Sequence, residues 1–392
     1  MAKKKSNIIM PDYEGGSLVN LMSSILNAFN CESEYKPLKK LKPEKIEEYT
    51  NIILLVIDGL GDEYLQTHGK DTIFKEHQKD TITSVFPATT ASAVTTFATG
   101  VAPQQHGITG WFMYLKELGV VSTILPFTPR FGNISFGQLG INPRKILNHT
   151  TVFDKIKSAS YHIVPKDLVN SDYTRSFAAG SQSIPYDSLQ EFFSVIDTTV
   201  RSDKDKKYVY AYWPLLDTLC HKNGIGSPEV QKHFKELNSH VQTFVENLKG
   251  TGTLVIITAD HGLMETDTEH TIKVQQHFDL MRMLTLPVCG EPRVGYCYVH
   301  PSCVEEFESY MIENFDEACD VKRGEDLISE NYFGLGEPHP MLFERIGDYV
   351  MLMKDKYVIR DFVIGEHVYY LVANHGGMSP QEMLVPLIVI KT

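Results

Sequence analysis

Four short, continuous apolar runs constrain this chain more than any other feature. "NIILLVID" (51–58), "YVYAYW" (208–213) and "TLVIIT" (253–258) are rich in β-branched or aromatic residues, and "MLVPLIVI" (383–390) is similar apart from Pro386. A strand with one wet face alternates apolar and polar side chains. A run without alternation is covered on both faces, as in a parallel sheet flanked by helices. Pro386 has no N–H to give to a ladder, so it predicts an edge or an irregularity in the last strand. Helical patterns lie between the runs: "LVNLMSSILNAF" (18–29) carries an apolar stripe, as does "SPEVQKHFKELNSHVQTFVENLK" (227–249), which opens on Ser-Pro and stops at Gly250. The alternation predicts an α/β fold, a doubly wound and mostly parallel sheet with helices as its crossovers.

From about 268 to 370 the texture changes. "CGEPRVGYCYVHP", "NYFGLGEPHP" and "DYVMLMKDKYVIRDFVI" are Gly- and Pro-punctuated runs that read as small strands and a helix. The segment is taken as an inserted cap subdomain, leaving 1–267 plus 371–392 as the core. Residues 112–205 carry no pattern that assigns them. With 392 residues the chain is long enough for this arrangement, and 42% hydrophobic with 22% charged residues is an ordinary globular balance. A net charge of −12 argues against bulk nucleic-acid binding, which needs a basic face. It leaves room for a small phosphate-bearing substrate if the site brings positive charge, as a bound metal would. The basic start "MAKKKSN" has no apolar segment behind it long enough for a secretory signal, and no stretch approaches the length that spans a bilayer. The expectation is a cytoplasmic protein without a membrane partner. The six cysteines show no C-x-x-C spacing, so they are expected to be reduced and mostly buried rather than a zinc ribbon or redox pair.

In doubly wound sheets, ligands collect beyond the carboxyl ends of the strands. The first run delivers Asp58 and then Gly59; "YVYAYWPLLD" leads to Asp217 and, in "DTLCH", His221; "TLVIITADH" delivers Asp260 and His261; "ANHGG", just before the last run, delivers His375. Each has a plain reading alone. Asp-Gly closes turns, an i, i+4 Asp/His pair decorates a helix face, and a single histidine is usually a satisfied core residue, as His106 in "QQHG" is taken to be. Together they are the ligand types of catalytic zinc, and six ligands fill two three-residue sites. Two ions roughly 4 Å apart form a clamp for in-line phosphoryl displacement. The stretch "SVFPATTASAVTTFATG" (84–100) suits a tightly packed helix with hydroxyls in its first turn, where free N–H groups favour anions. Thr89 and Thr90 there either cap the helix or supply a nucleophile.

"VIDGLG" (56–61), "FPATTASAVTTFATGVAPQQHGITGW" (86–111), "DTLCH" (217–221), "TADHG" (258–262) and "NHGG" (374–377) occur in an order that resembles the alkaline phosphatase superfamily, in particular its type I phosphodiesterase/nucleotide pyrophosphatase branch. The resemblance implies a two-zinc hydrolase core; the sequence leaves Mn²⁺ open as an alternative to zinc. The resemblance places Asp217, His221 and His375 on one metal and Asp58, Asp260 and His261 on the other. It puts the nucleophile nine residues before the threonine of a helix-ending Thr-Gly, here Thr99, which selects Thr90 over Thr89. In diesterase relatives the nucleophile directly precedes a Phe-Pro pair, whereas Phe86-Pro87 comes before it here. Such relatives also carry an asparagine where this chain has Trp111. Trp111, Phe112 and Tyr114, with one cation (Lys116) in "QQHGITGWFMYLKELG" (104–119), predict a wall for an organic group, hence phosphodiester or nucleotide pyrophosphate substrates turned over through a phospho-threonine. A phosphomonoesterase or phosphonate hydrolase is the enzymatic alternative, and a non-catalytic binding protein on the same fold the other.

Overall fold

Every residue of the first three apolar runs is buried, and the runs form neighbouring strands. The computed structural model describes residues 8–392 other than 133, 148 and 367, so the basic N-terminal run lies outside the described residues. Its central sheet has seven strands: β1 (Asn51–Ile57), β2 (Gln78–Thr83), β3 (Ala159–Pro165), β4 (Gln182–Tyr186), β5 (Lys207–Trp213), β6 (Thr253–Thr258) and β7 (Leu384–Lys391). They lie in the order β2-β7-β6-β1-β5-β3-β4. β7 runs antiparallel to both neighbours and the remaining pairs are parallel. The mixed, mostly parallel sheet with helices is the α/β architecture expected. In β7 the first residues pair with β2, the register shifts between Leu387 and Ile388, and pairing with β6 begins at Ile388. Pro386 sits in the part with one neighbour, where a residue without an N–H is tolerated.

Four helices matter for the site: α1 (Leu18–Ala28), α2 (Thr90–Thr99), α3 (Leu215–Asn223) and α4 (Pro228–Asn247). α1 packs on α2, and α3 on α4. α4 begins as its sequence indicates, with Pro228 in the first turn and the Ser227 hydroxyl accepting the Val230 N–H at 3.4 Å.

A second, antiparallel sheet joins two distant stretches. Its order is Cys319–Arg323, Tyr349–Met353, Val294–Cys297, Cys289–Glu291, Phe112–Leu115, Val120–Thr123, Thr128–Pro129. The small strands of 268–370 are therefore completed by three from the unassigned segment, whose later part supplies β3 and β4. The helix expected in 268–370 is present at Val304–Phe315. No helix among the described residues is long and apolar enough to cross a membrane. All six cysteines are free thiols, and Cys220, Cys289, Cys297 and Cys319 are buried.

Register explains how the site assembles. Ile57 of β1 pairs with Trp213, and Val56 with Thr258, so β1, β5 and β6 end level with one another. The residues that follow, Asp58, Asp217 and Asp260, rise from one rim. Gly59 turns the chain there at φ +75°, and a Cβ on it would meet Asp217 Cβ at 3.0 Å and Leu263 Cδ1 at 2.7 Å. After β6 the strand Met264–Glu265 pairs antiparallel with Ala373–Asn374, which returns His375 to the same rim.

Candidate active site

Three buried carboxylates and three histidines converge at this rim. The Gly59 N–H donates to Asp260 Oδ1 at 3.2 Å, tying the end of β1 to the end of β6. Asp58 accepts a hydrogen bond from the Tyr212 hydroxyl. Burial, then the charges of Asp260 and Asp217, push its carboxyl well above the usual range. His261 Nε2 lies 3.5 Å from Asp58 Oδ1 and 3.4 Å from Asp260 Oδ2. Its Nδ1 lies 3.1 Å from the Gly262 carbonyl oxygen, so an N–H there leaves Nε2 unprotonated toward the carboxylates. His221 is oriented the same way, Nδ1 donating to the Ala373 carbonyl at 2.7 Å and Nε2 facing Asp217 Oδ2 at 3.2 Å. The His261 and His375 rings stack at 3.7 Å, and His221 lies 5.1 Å from His375. Burial, followed by these two neighbouring rings, holds His375 well below its ordinary value, in the neutral form that binds metals.

Four atoms test whether the cluster suits metal ions. Asp58 Oδ1, Asp217 Oδ1, Asp260 Oδ2 and His375 Nδ1 are buried without a hydrogen-bond partner. Buried acceptors without donors are costly unless a cation completes them. Ligand atoms of Asp58, Asp260 and His261 lie within 4.8 Å of one another, and so do those of Asp217, His261 and His375. The two sets share His261, and His221 joins the second through Asp217. The donor set is the oxygen and imidazole chemistry zinc takes.

Thr90 opens α2 with its Oγ1 3.1 Å from His261 Nε2. Thr89 occupies the N-cap position yet makes no side-chain cap; its buried hydroxyl instead donates to Glu291 Oε1 at 2.6 Å. The adjacent hydroxyls thus have separate surroundings, and only that of Thr90 meets the cluster. His106 is a satisfied core histidine, fully buried between the Thr96 hydroxyl (3.2 Å) and the Ile108 N–H (3.0 Å).

Two cavities of about 410 Å³ each flank Thr90 and Trp111. One is walled by aromatic side chains, among them Phe97, Phe153, Tyr173, Phe177 and Tyr210. The other is lined by Asp217, His221 and His375 together with Glu291, Arg130 and Arg360. Near Trp111 the local sequence suggested a site with one distant cation; the fold corrects this. Lys116 is carried to a surface ion pair with Glu344, and Arg360 and Arg130 arrive from other segments. Tyr114 packs edge-on against Tyr298 at 5.6 Å, whereas Phe112 lies 4.1 Å beneath the Arg130 guanidinium.

Glu291 was invisible in the sequence, where it lies in the Gly- and Pro-punctuated run "CGEPRVGYCYVHP". It accepts from both Thr89 and the Trp111 N–H (2.7 Å), joining the start of α2 to the Trp111 loop. Burial pushes its carboxyl up to about 7, with the Thr89 and Trp111 donors opposing in part. The folded state therefore holds this proton more tightly than the unfolded chain does. Its contribution to stability is fully present below the ordinary glutamate range, falls as pH rises and is gone above about 7. Glu291→Gln keeps an acceptor for both donors, so it is expected to flatten the fall in Tm of metal-free protein across that window. An unchanged slope would mean another group titrates there.

Comparisons with known proteins give the family and the fold. Residues 52–378 match the type I phosphodiesterase/nucleotide pyrophosphatase family. The chain belongs to that family. A venom phosphodiesterase from Crotalus durissus collilineatus is 25% identical over 246 residues, 59% of this chain but only 28% of its own length. Among solved structures, murine ectonucleotide pyrophosphatase/phosphodiesterase 5, as an inactive variant in complex with AMP, superposes with TM-score 0.65 at 16% identity over 86% of this chain and 87% of that one. Phosphonoacetate hydrolase from Sinorhizobium meliloti 1021 in complex with phosphonoformate gives 0.64 at 18% identity, over 87% and 90%. At those identities the structures show a common fold.

Proposed function

We propose that the chain is a two-metal hydrolase of phosphodiesters or nucleotide pyrophosphates, with Thr90 as nucleophile. The observation that carries the reading is Thr90 Oγ1 at the start of a helix, 3.1 Å from His261 Nε2 and beside a cluster with four orphaned ligand atoms. Asp58, Asp260 and His261 would hold one ion and Asp217, His221 and His375 the other, zinc by donor chemistry and Mn²⁺ as the substitute. When bound, the ions supply positive charge to the phosphoryl oxygens and ease deprotonation of the nucleophile. Thr90 Oγ1 then forms a bond to phosphorus as the bond to the leaving oxygen breaks, and water later hydrolyses the phospho-threonine. The free N–H groups at the start of α2 add donors for the phosphoryl group. Trp111, standing between the two cavities, separates the two substituents of a diester.

The two cavities that meet at Thr90 favour a diester, because they offer places for two substituents on phosphorus and a monoester leaves one of them empty. The murine relative in complex with AMP supports a nucleotide as one of the substituents. A phosphonate or monoester hydrolase is the second reading, and the arginines of the other cavity are what favour it. With metal-loaded protein, kcat/KM is expected to be higher for bis-nitrophenyl phosphate than for nitrophenyl phosphate. A preference for the monoester would overturn the diester reading.

A further inference from the structure

Among the described residues, Arg293, Arg345 and Arg360 are buried and the side chain of Arg130 is only 5% exposed; three of these four guanidiniums have a carboxylate partner. Arg130 meets Glu366 at 2.8 Å, Arg293 meets Glu382 at 3.1 Å and Arg345 meets Glu117 at 2.7 Å. Arg360 is the exception. It is 9% exposed, and no carboxylate among the described residues lies within ion-pair distance of it. Its Nη2 donates to Asn374 Oδ1 at 2.9 Å, and its guanidinium lies over the Tyr369 ring at 5.3 Å. A guanidinium carries five N–H donors, and burying its charge without an anion is costly. Arg360 nevertheless lines the charged cavity, close enough to His221 and His375 to bear on their charge. Asn374, which holds it, is the residue before His375, and its own amide donates to Thr266 Oγ1 at 2.6 Å. The side chain is thus fixed, charged and facing the reaction site.

We propose that Arg360 binds an oxyanion carried by the substrate itself, a carboxylate or a further phosphate, on the substituent that occupies the charged cavity. The substrate then has two unlike ends on the reacting phosphorus. An apolar organic group enters the aromatic cavity on one side of Thr90 and Trp111, and an acidic group reaches Arg360 on the other. The assignment rests on the diester reading. Arg130 does not serve this purpose, because Glu366 and the Val288 carbonyl already take its donors. Glu291 faces the same cavity, but burial favours its neutral form, so it repels an incoming anion less than an ordinary glutamate would.

The test compares wild type with Arg360→Met and Arg360→Lys on three derivatives of one nucleoside 5′-phosphate, two esters and one anhydride. Their second substituents are nitrophenol, diphosphate and carboxyphenol. Arg360→Met is expected to lower kcat/KM roughly 10- to 100-fold on whichever acidic substituent is recognised, the cost of losing a charged hydrogen-bond partner, and by less than about threefold on the nitrophenyl ester. Arg360→Lys should recover part of the loss. Comparing the diphosphate with the carboxyphenol identifies which anion is bound. Equal losses on all three compounds would overturn the assignment and leave Arg360 as a support for Asn374. Binding of 3-phosphonopropionate and ethylphosphonate to metal-loaded protein keeps the outcomes separable. If no diester is hydrolysed, the diester reading falls; a carboxylate advantage present in wild type and lost in Arg360→Met still sustains the anion site. The same affinity ratio in both proteins would remove it.

Discussion

Thr90→Ala is expected to lower kcat by roughly a thousandfold or more, because it removes the atom that bonds to phosphorus. The fold should be nearly untouched. Thr90 makes no cap; the N-cap position belongs to Thr89, and what Thr90 contributes to the helix start is worth at most about 1 kcal/mol. The companion variant sharpens the test. Thr89→Ala leaves the buried Glu291 Oε1 with one donor fewer, so it should cost stability and part of the rate while turnover survives. Steady-state kinetics and thermal melts on both variants separate the roles. A dead Thr89→Ala beside an active Thr90→Ala would shift the nucleophile by one residue.

The second large effect concerns charge. Without cations, Asp58, Asp217 and Asp260 are buried acids facing one another, with Asp58 forced toward its neutral form. Metal-free protein should therefore melt well below metal-loaded protein, since an ion that binds only the folded state stabilises it by mass action. Asp260→Asn should narrow that gap by stabilising the metal-free protein. Asp260 Oδ1 accepts the N–H groups of Gly59 and His261, which an asparagine oxygen can also do, and Oδ2 has no partner to lose. In chelator the variant is expected to be more stable than wild type by about 1–3 kcal/mol, the scale of relieving a buried unpaired charge. With metal added, wild type should gain far more than the variant, whose activity should be lost. If Asp260→Asn destabilises the chelated protein as well, the carboxylate is a structural acceptor and the cluster is not strained for want of a cation.

These expectations rest on parts of the chain that differ in how well the sequence reveals them. β1, β5 and β6 are legible because burial on both faces leaves a continuous apolar signature. Asp58, Asp260 and His261 are legible with them, being the residues that follow β1 and β6. Strands with one wet face and few residues are not legible. Phe112–Leu115 is four residues of alternating burial, and β4, "QSIPY", is a short edge with one buried residue. The place of Phe112–Leu115 depends on a partner far along the chain, as Phe112 pairs with Gly290. Glu291 fails for the same reason: its two donors, Thr89 and Trp111, are 202 and 180 positions away. Arg360 sits among short runs that read as a cap, and nothing local says that it faces His221 and His375. Lys116 errs in the opposite direction, close to the motif in sequence yet carried to the surface by the hairpin it belongs to.

The account stands or falls on the cation content of the rim. Elemental analysis of protein purified without chelator and then equilibrated with zinc should find close to two equivalents per chain, and close to none in the double variant Asp260→Asn, His375→Ala. A wild-type chain that binds no metal under those conditions yet hydrolyses bis-nitrophenyl phosphate at full rate would contradict it.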